Sequence, residues 1–237
     1  MLNISVTAKA KMRKGLQSLL GLVIIYAIFS IISPTFRTFS TFTTILTQAV
    51  ILGTMAAGTT IVLISGGLDL SIGSLFVLVA VFTGWMLLAG MPVFWVVVIA
   101  LLIGAACGAL NGVIIQGTGI PAFIGTLGMM KAYRGLAEIF ARGKDMSRFP
   151  DSFQMIGGGY VIPISIMAVT FIIVYIFLSR TKLGFNCYAI GGNNEVARLA
   201  GVPVKKYYII YYTFGGFFAA VSAIIQSSRL NFTNSSW

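Results

Sequence analysis

The chain has 237 residues, of which 58% are hydrophobic and 9% charged. An ordinary soluble domain is about 45–50% apolar and about 25% charged, so a mean hydropathy of +0.97 leaves too few charges to cover a water-facing surface. This excludes a soluble globular enzyme and a disordered chain, and it points to a protein that crosses a bilayer several times.

The net charge of +11 sits mostly between apolar runs. It therefore reads as membrane orientation, with the lipid bilayer as partner, and not as nucleic-acid binding. There is no histidine, and the two cysteines are Cys107 and Cys187. Without histidine there is no Ser-His-Asp triad and no common general base, and two separated cysteines do not build a zinc site. No metal, no cofactor and no catalytic residue are expected.

A spanning helix needs about 20 mostly apolar residues. On that scale the chain offers seven candidates, at 16–33, 45–65, 70–89, 92–115, 120–141, 160–178 and 208–226. The runs are continuously apolar rather than alternating, which predicts helices and excludes a barrel. The first run follows Lys9, Lys11, Arg13 and Lys14 and ends at Ser33-Pro34 without a small-residue cleavage site, so it reads as a retained anchor. With the N-terminus inside, nine Lys and Arg fall on inner segments and five on outer ones. That bias predicts a cytoplasmic N-terminus, 142–159 outside, 179–207 inside and the chain end outside.

Between the second and third spans lies Ser65-Gly66-Gly67-Leu68-Asp69-Leu70-Ser71. The glycines break the helix, and Asp69 or Ser71 is placed to cap the next one. A tight capped turn and a broken helix beside a substrate path both fit. In the fourth span Gly104, Gly108 and Gly112 recur every four residues, beside Ala105, Ala109 and Asn111. That spacing brings helix backbones close and reads as packing within a bundle. The fifth span carries Lys131, Arg134 and Glu138. Lys131 and Arg134 share a helix face, and Arg134 is spaced to pair with Glu138. Asp69, Lys131 and Arg134 are the candidate path residues. A structural ion pair, or side chains reaching for the interface, are the alternatives for the fifth span.

The segment Asn193-Asn194-Glu195-Val196-Ala197-Arg198-Leu199-Ala200-Gly201-Val202-Pro203 carries the most information. Asn193 or Asn194 suits an N-cap, Glu195 suits the first turn, Gly201 stops the helix and Pro203 keeps it from resuming. The spacing puts Val196, Leu199 and Ala200 on one apolar face, with Arg198 off it. So short a helix needs a surface to rest on. That surface is either the membrane side of the bundle or a cytoplasmic subunit.

Four stretches, taken in order, resemble the membrane permease subunit of bacterial ATP-driven (ABC) importers of the ribose type, a family related to the branched-chain amino acid permeases. They are Ser65–Ser74, Ile120–Met129, Tyr188–Glu195 with Ala197–Val202, and the span ending at Arg229-Leu230. The resemblance implies an all-α polytopic bundle in the bacterial cytoplasmic membrane. It also implies a path formed with a second permease subunit, as a homo- or heterodimer, and a cytoplasmic ATP-binding subunit that hydrolyses the ATP. An extracytoplasmic solute-binding protein would complete the importer. The solute it implies is a monosaccharide. It makes Asn194, Glu195, Val196, Ala197, Arg198, Leu199, Ala200, Gly201 and Val202 similar to the loop that couples the permease to its ATPase.

The family runs to roughly 300 residues and about ten spans, so this chain is expected to lack the family's C-terminal part. One transmembrane domain over 1–230 and a divergent tail at 231–237 are expected. An ATP-independent carrier or channel, and a non-transporting remnant, are the competing expectations.

Overall fold

The computed structural model describes residue 17 and residues 20–237. Lys9, Lys11, Arg13 and Lys14, on which much of the predicted orientation rests, lie outside the described residues. The chain divides into two compact units, Met1–Leu46 and Thr47–Trp237.

In the first unit, helix α1 is apolar over its described residues Leu20–Ile32. A 3-10 turn follows at Pro34–Arg37. Arg37 Nε donates back to the Ser30 carbonyl at 2.6 Å, and the Phe36 ring packs between those of Tyr26 and Phe29. Helix α2 (Phe39–Ile64) begins in this unit and continues into the second.

The second unit is a helical bundle. After α2 come α3 (Ile72–Leu88), α4 (Val93–Thr118) and α5 (Ala122–Ala141). A two-residue strand β1 (Met146–Ser147), a short helix α6 (Asp151–Gly157) and α7 (Val161–Arg180) follow. Then α8 (Lys182–Gly192), α9 (Asn194–Leu199), α10 (Val204–Leu230) and strand β2 (Phe232–Thr233) complete the chain. Among the described residues, each of the seven apolar runs is mainly helical. Among the described residues, helices α2, α4, α7 and α10 are long and apolar enough to cross a membrane; α3 is a shorter apolar helix, and α1 is apolar over Leu20–Ile32. The all-α polytopic class is thus what the sequence predicted.

Two element boundaries differ in an instructive way. Helix α10 starts at Val204, before the apolar run, because Pro203 sets its first turn and Lys205 and Lys206 extend it as solvated residues. Helix α8 lies in the segment 179–207, between the sixth and seventh apolar runs. Its N-cap is Thr181, whose hydroxyl accepts from Gly184 N at 3.1 Å, and its buried Cys187 and Ile190 hold it on the bundle.

The glycines of α4 do what their spacing predicts. A Cβ on Gly104 would sit 2.6 Å from Gly216 O and 2.5 Å from Ala220 Cβ; one on Gly112 would sit 2.7 Å from Ile209 Cα. A Cβ on Gly108 would strike the Tyr212 carbonyl. Helices α4 and α10 therefore lie backbone against backbone.

The ends of this bundle sort cleanly. Gly191 of α8 packs against the Ile64 carbonyl, and Tyr208 of α10 reaches Ser65 O, so the break after α2 shares one end with α8 and α9. At the other end β1 pairs antiparallel with β2, Met146 opposite Thr233. Segments 179–207 and 65–71 thus lie opposite 142–159 and the residues after α10, the grouping the alternation of spans requires.

Candidate functional site

The break between α2 and α3 is held from four sides. Gly66 has φ of +81°, a backbone conformation natural to glycine. Asp69 Oδ1 accepts from Ser71 N at 2.9 Å and from Ser71 Oγ at 2.6 Å, and its Oδ2 accepts from Asn111 Nδ2 at a long 3.5 Å. Asn111 Nδ2 also donates to Ser71 Oγ at 2.7 Å, and Asn111 Oδ1 lies 2.9 Å from the donating hydroxyl of Tyr133. A chain of polar contacts so runs from the break through α4 to α5. From α5, Thr126 Oγ1 accepts from Leu70 N at 3.1 Å; from α10, Tyr208 Oη donates to Ser65 O and Tyr212 Oη to Leu68 O, each at 3.0 Å. From α8, the Cys187 thiol donates to Ile61 O at 3.3 Å.

Asp69 is 7% exposed. Burial raises its pKa above the ordinary carboxylate value, and the bonds from Ser71 and Asn111 oppose that rise. Ser71 sits at the N-cap of α3 without a side-chain cap bond; its amide instead donates to Asp69 Oδ1 at 2.9 Å. The arrangement stiffens the break.

Lys131 and Arg134 do not join this network. Lys131 is exposed on α5. Arg134 is half-buried and its Nη1 donates to the Trp237 carbonyl at 2.5 Å. The anticipated pair with Glu138 is absent: among the described residues the ion pair within 4 Å is Arg198 with Glu195. Arg134 finds a backbone oxygen instead, because the segment after β2 folds back against α5. Among the described residues no cluster of three His, Cys, Asp or Glu side chains is arranged to hold a metal.

Helix α9 is built as the sequence suggests. Asn193 is the N-cap, its Oδ1 accepting from Val196 N at 3.0 Å. At the other end Gly201, with φ of +83°, donates to Arg198 O, and Val202 N donates to Ala197 O. These paired bonds close the helix with a left-handed glycine. Glu195 in the first turn pairs with Arg198 at 2.6 Å, both side chains largely exposed.

The face that rests on the bundle is a different one from the apolar face. Ala197 is buried, packed in the cluster formed with Val204, Tyr208 and Cys187. Val196 and Leu199 are 60% and 81% exposed, and Ala200 is exposed too. The apolar trio points away from the bundle, and Ala197 alone anchors the helix.

The chain belongs to the family described as the permease component of the branched-chain amino acid transport system, which matches residues 41–236. It is 34% identical over 195 residues to the ribose import permease protein RbsC of Haemophilus influenzae, covering 79% of this chain and 60% of that one. To the protein of the same name from Bacillus subtilis it is 33% identical, over 79% and 60%. To the fructose import permease protein FruG of Bifidobacterium longum it is 33% identical, over 74% and 56%. The chain thus spans about three fifths of the length of the relatives it matches. No solved structure matches it.

The tyrosines that tie α10 to the break were not among the residues the sequence singled out. Tyr208 and Tyr212, four apart on one helix face, are a signal of a kind, yet their partners lie 143 and 144 residues away. Asn111 stood in the glycine-spaced stretch without a sign that it meets Asp69.

Proposed function

We propose that this chain is a permease subunit of an ATP-driven importer in the bacterial cytoplasmic membrane, carrying a small polar solute, a monosaccharide above all. The relatives named for ribose and fructose import support the solute class. The N-terminus and the α8–α9 end face the cytoplasm, where Arg180, Lys182, Arg198, Lys205 and Lys206 lie.

The observation that carries this reading is the outward apolar face of α9. A helix of six residues is not stable by its own propensity, yet this one is capped at both ends and holds Val196 and Leu199 clear of its own bundle. Residues Asn194–Val202 form the contact with a cytoplasmic ATP-binding subunit. Closure of that partner on ATP pushes α9, and Pro203 passes the movement directly into α10. Tyr208 and Tyr212 then pass it to the break at Ser65–Leu68. A second permease subunit completes the path, and an extracytoplasmic binding protein delivers the solute. Of the three path candidates, Lys131 is the one free to face solvent; Asp69 and Arg134 serve as anchors.

Co-purification of the tagged chain from its own membrane, with partners identified by mass spectrometry, tests the reading. Recovery of an ATP-binding subunit is expected. A chain recovered in stable form with no ATPase contradicts it and favours a carrier.

A further inference from the structure

A groove of about 240 Å³ opens at the end of the bundle opposite α8 and α9, in the seam between α3 and α5. Trp85 and Leu88 of α3, Phe140 of α5, Arg142 and Lys144 just after α5, and Met146 of β1 line it. Its walls are fixed. The Phe82 and Phe140 rings meet at 4.5 Å across the seam. Met146 is buried, and a Cβ on Gly84 would lie 3.2 Å from its sulfur, so β1 packs down on α3. The turn that carries the two cations is tied back to α5: Arg142 N donates to Glu138 O at 3.0 Å, and Lys144 N to Ala141 O at 2.9 Å.

Cations near a helix C-terminus suit its dipole, yet these two keep their donors free. Neither side chain makes an ion pair or a hydrogen bond with another described residue. Glu138 and Asp145 are close in the chain, but neither carboxylate comes within 4 Å of either cation. Beside the cations stand Trp85 and Leu88, each 55% exposed, and Phe140, 42% exposed. Leu136 and Ile139 continue that exposed apolar surface along α5.

Charge and surface together narrow the ligand class. A soluble anion would use the two cations and leave the apolar wall bare. A zwitterionic headgroup brings a cation of its own, which Arg142 and Lys144 repel. An amphiphile with an anionic head uses both parts. A guanidinium fork matches phosphate oxygens and an ammonium adds a point charge, while an acyl chain lies along Phe140, Ile139 and Leu136. An exposed tryptophan beside them is the residue type that sits at the level of lipid headgroups. We infer that this groove binds the headgroup of an anionic phospholipid, with Arg142 and Lys144 holding its phosphate and Trp85, Leu88 and Phe140 packing against the first carbons of its chains. The site needs a bilayer and no ATP-binding partner, so it stands apart from the importer reading.

The test is quenching of tryptophan fluorescence in the full chain, reconstituted in phosphatidylcholine nanodiscs. Trp85 is the reporter in a chain carrying Trp95→Phe and Trp237→Phe. Trp95, also 55% exposed but outside the groove, is the control in a chain carrying Trp85→Phe and Trp237→Phe. The quencher is brominated phosphatidylglycerol or, at the same fraction, brominated phosphatidylcholine. Trp85 is expected to be half-quenched at about tenfold less phosphatidylglycerol than phosphatidylcholine, and Trp95 at the same fraction of either. Arg142→Gln together with Lys144→Gln is expected to abolish the preference, and each change alone to weaken it. Arg148→Gln, exposed at the same end and outside the groove, is expected to keep it. Equal quenching of Trp85 by both lipids, or the same preference at Trp95, would mean ordinary boundary lipid and overturns the inference. Trp85 quenched by neither lipid would mean that protein covers the groove, a second copy of the chain included, and the inference falls. Loss of the preference in Arg148→Gln would reduce it to net charge and overturns it as well. Inorganic phosphate at matched ionic strength is expected to leave the quenching unchanged; displacement by it would make this a site for a soluble anion instead.

Discussion

Tyr212 Oη donates to the Leu68 carbonyl at 3.0 Å, across 144 residues of chain. One turn earlier on α10, Tyr208 does the same to Ser65. The helix that follows α9 is thereby fastened to the break between α2 and α3. A displacement of α9 has a short, hydrogen-bonded route into the break between α2 and α3.

Removing those hydroxyls tests the route. Tyr208→Phe and Tyr212→Phe are each expected to cost about 1 kcal/mol of stability, read as a lower thermal unfolding midpoint in detergent. Ser65 and Leu68 would lose a donor, though Leu68 O keeps a long bond from Thr126 at 3.3 Å. If the proposed importer reading holds, the double variant should still co-purify with an ATP-binding subunit while solute uptake per ATP hydrolysed falls. Unchanged coupling in the double variant would show that the movement travels elsewhere.

The contact between α4 and α10 leaves no room for side chains at Gly108, where a Cβ would meet the Tyr212 carbonyl. Gly108→Leu is expected to cost about 1–3 kcal/mol or to prevent folding. Gly117, on the same helix, has nothing within 4 Å of its Cβ position. Gly117→Ala should leave the unfolding midpoint unchanged or raise it. Fluorescence-detected size-exclusion chromatography after heating distinguishes the two; equal behaviour would refute the backbone contact.

Asp69 gives the break a pH dependence with a definite sign. Burial raises its folded pKa above the unfolded value near 3.8, so the protonated form is favoured by folding. That contribution is complete below the unfolded pKa and is lost as pH rises through the folded one. Relative to Asp69→Asn, the wild-type unfolding midpoint should therefore fall as pH is raised from about 4 to about 7. A gap between the two proteins that does not change over that range would show that the bonds from Ser71 and Asn111 cancel the burial.

The run lengths made the seven helices legible, because hydrocarbon thickness dictates them. Helix α9 was legible down to its caps, since Asn193 and Gly201 act on neighbouring amides. The α4 glycines announced a close neighbour without saying that it is α10. What the sequence concealed is long-range. Tyr208 and Tyr212 read as packing aromatics, and only the fold brings them to carbonyls of the break. Arg134 had Glu138 at the right spacing, yet a backbone oxygen at Trp237 takes its proton donor. Val196, Leu199 and Ala200 were correctly grouped, but the burial of Ala197 decides that the group faces outward.

In the proposed importer, α9 docks an ATP-binding subunit through its outward face. The direct measurement is the affinity of that subunit for the chain in lipid nanodiscs, comparing wild type, Leu199→Asp and Lys131→Ala. A buried charge in place of a leucine weakens an apolar contact by about 3 kcal/mol or more. The account predicts a loss of at least about a hundredfold for Leu199→Asp, no change for Lys131→Ala, and the same membrane insertion for all three. Wild-type affinity in Leu199→Asp would contradict it.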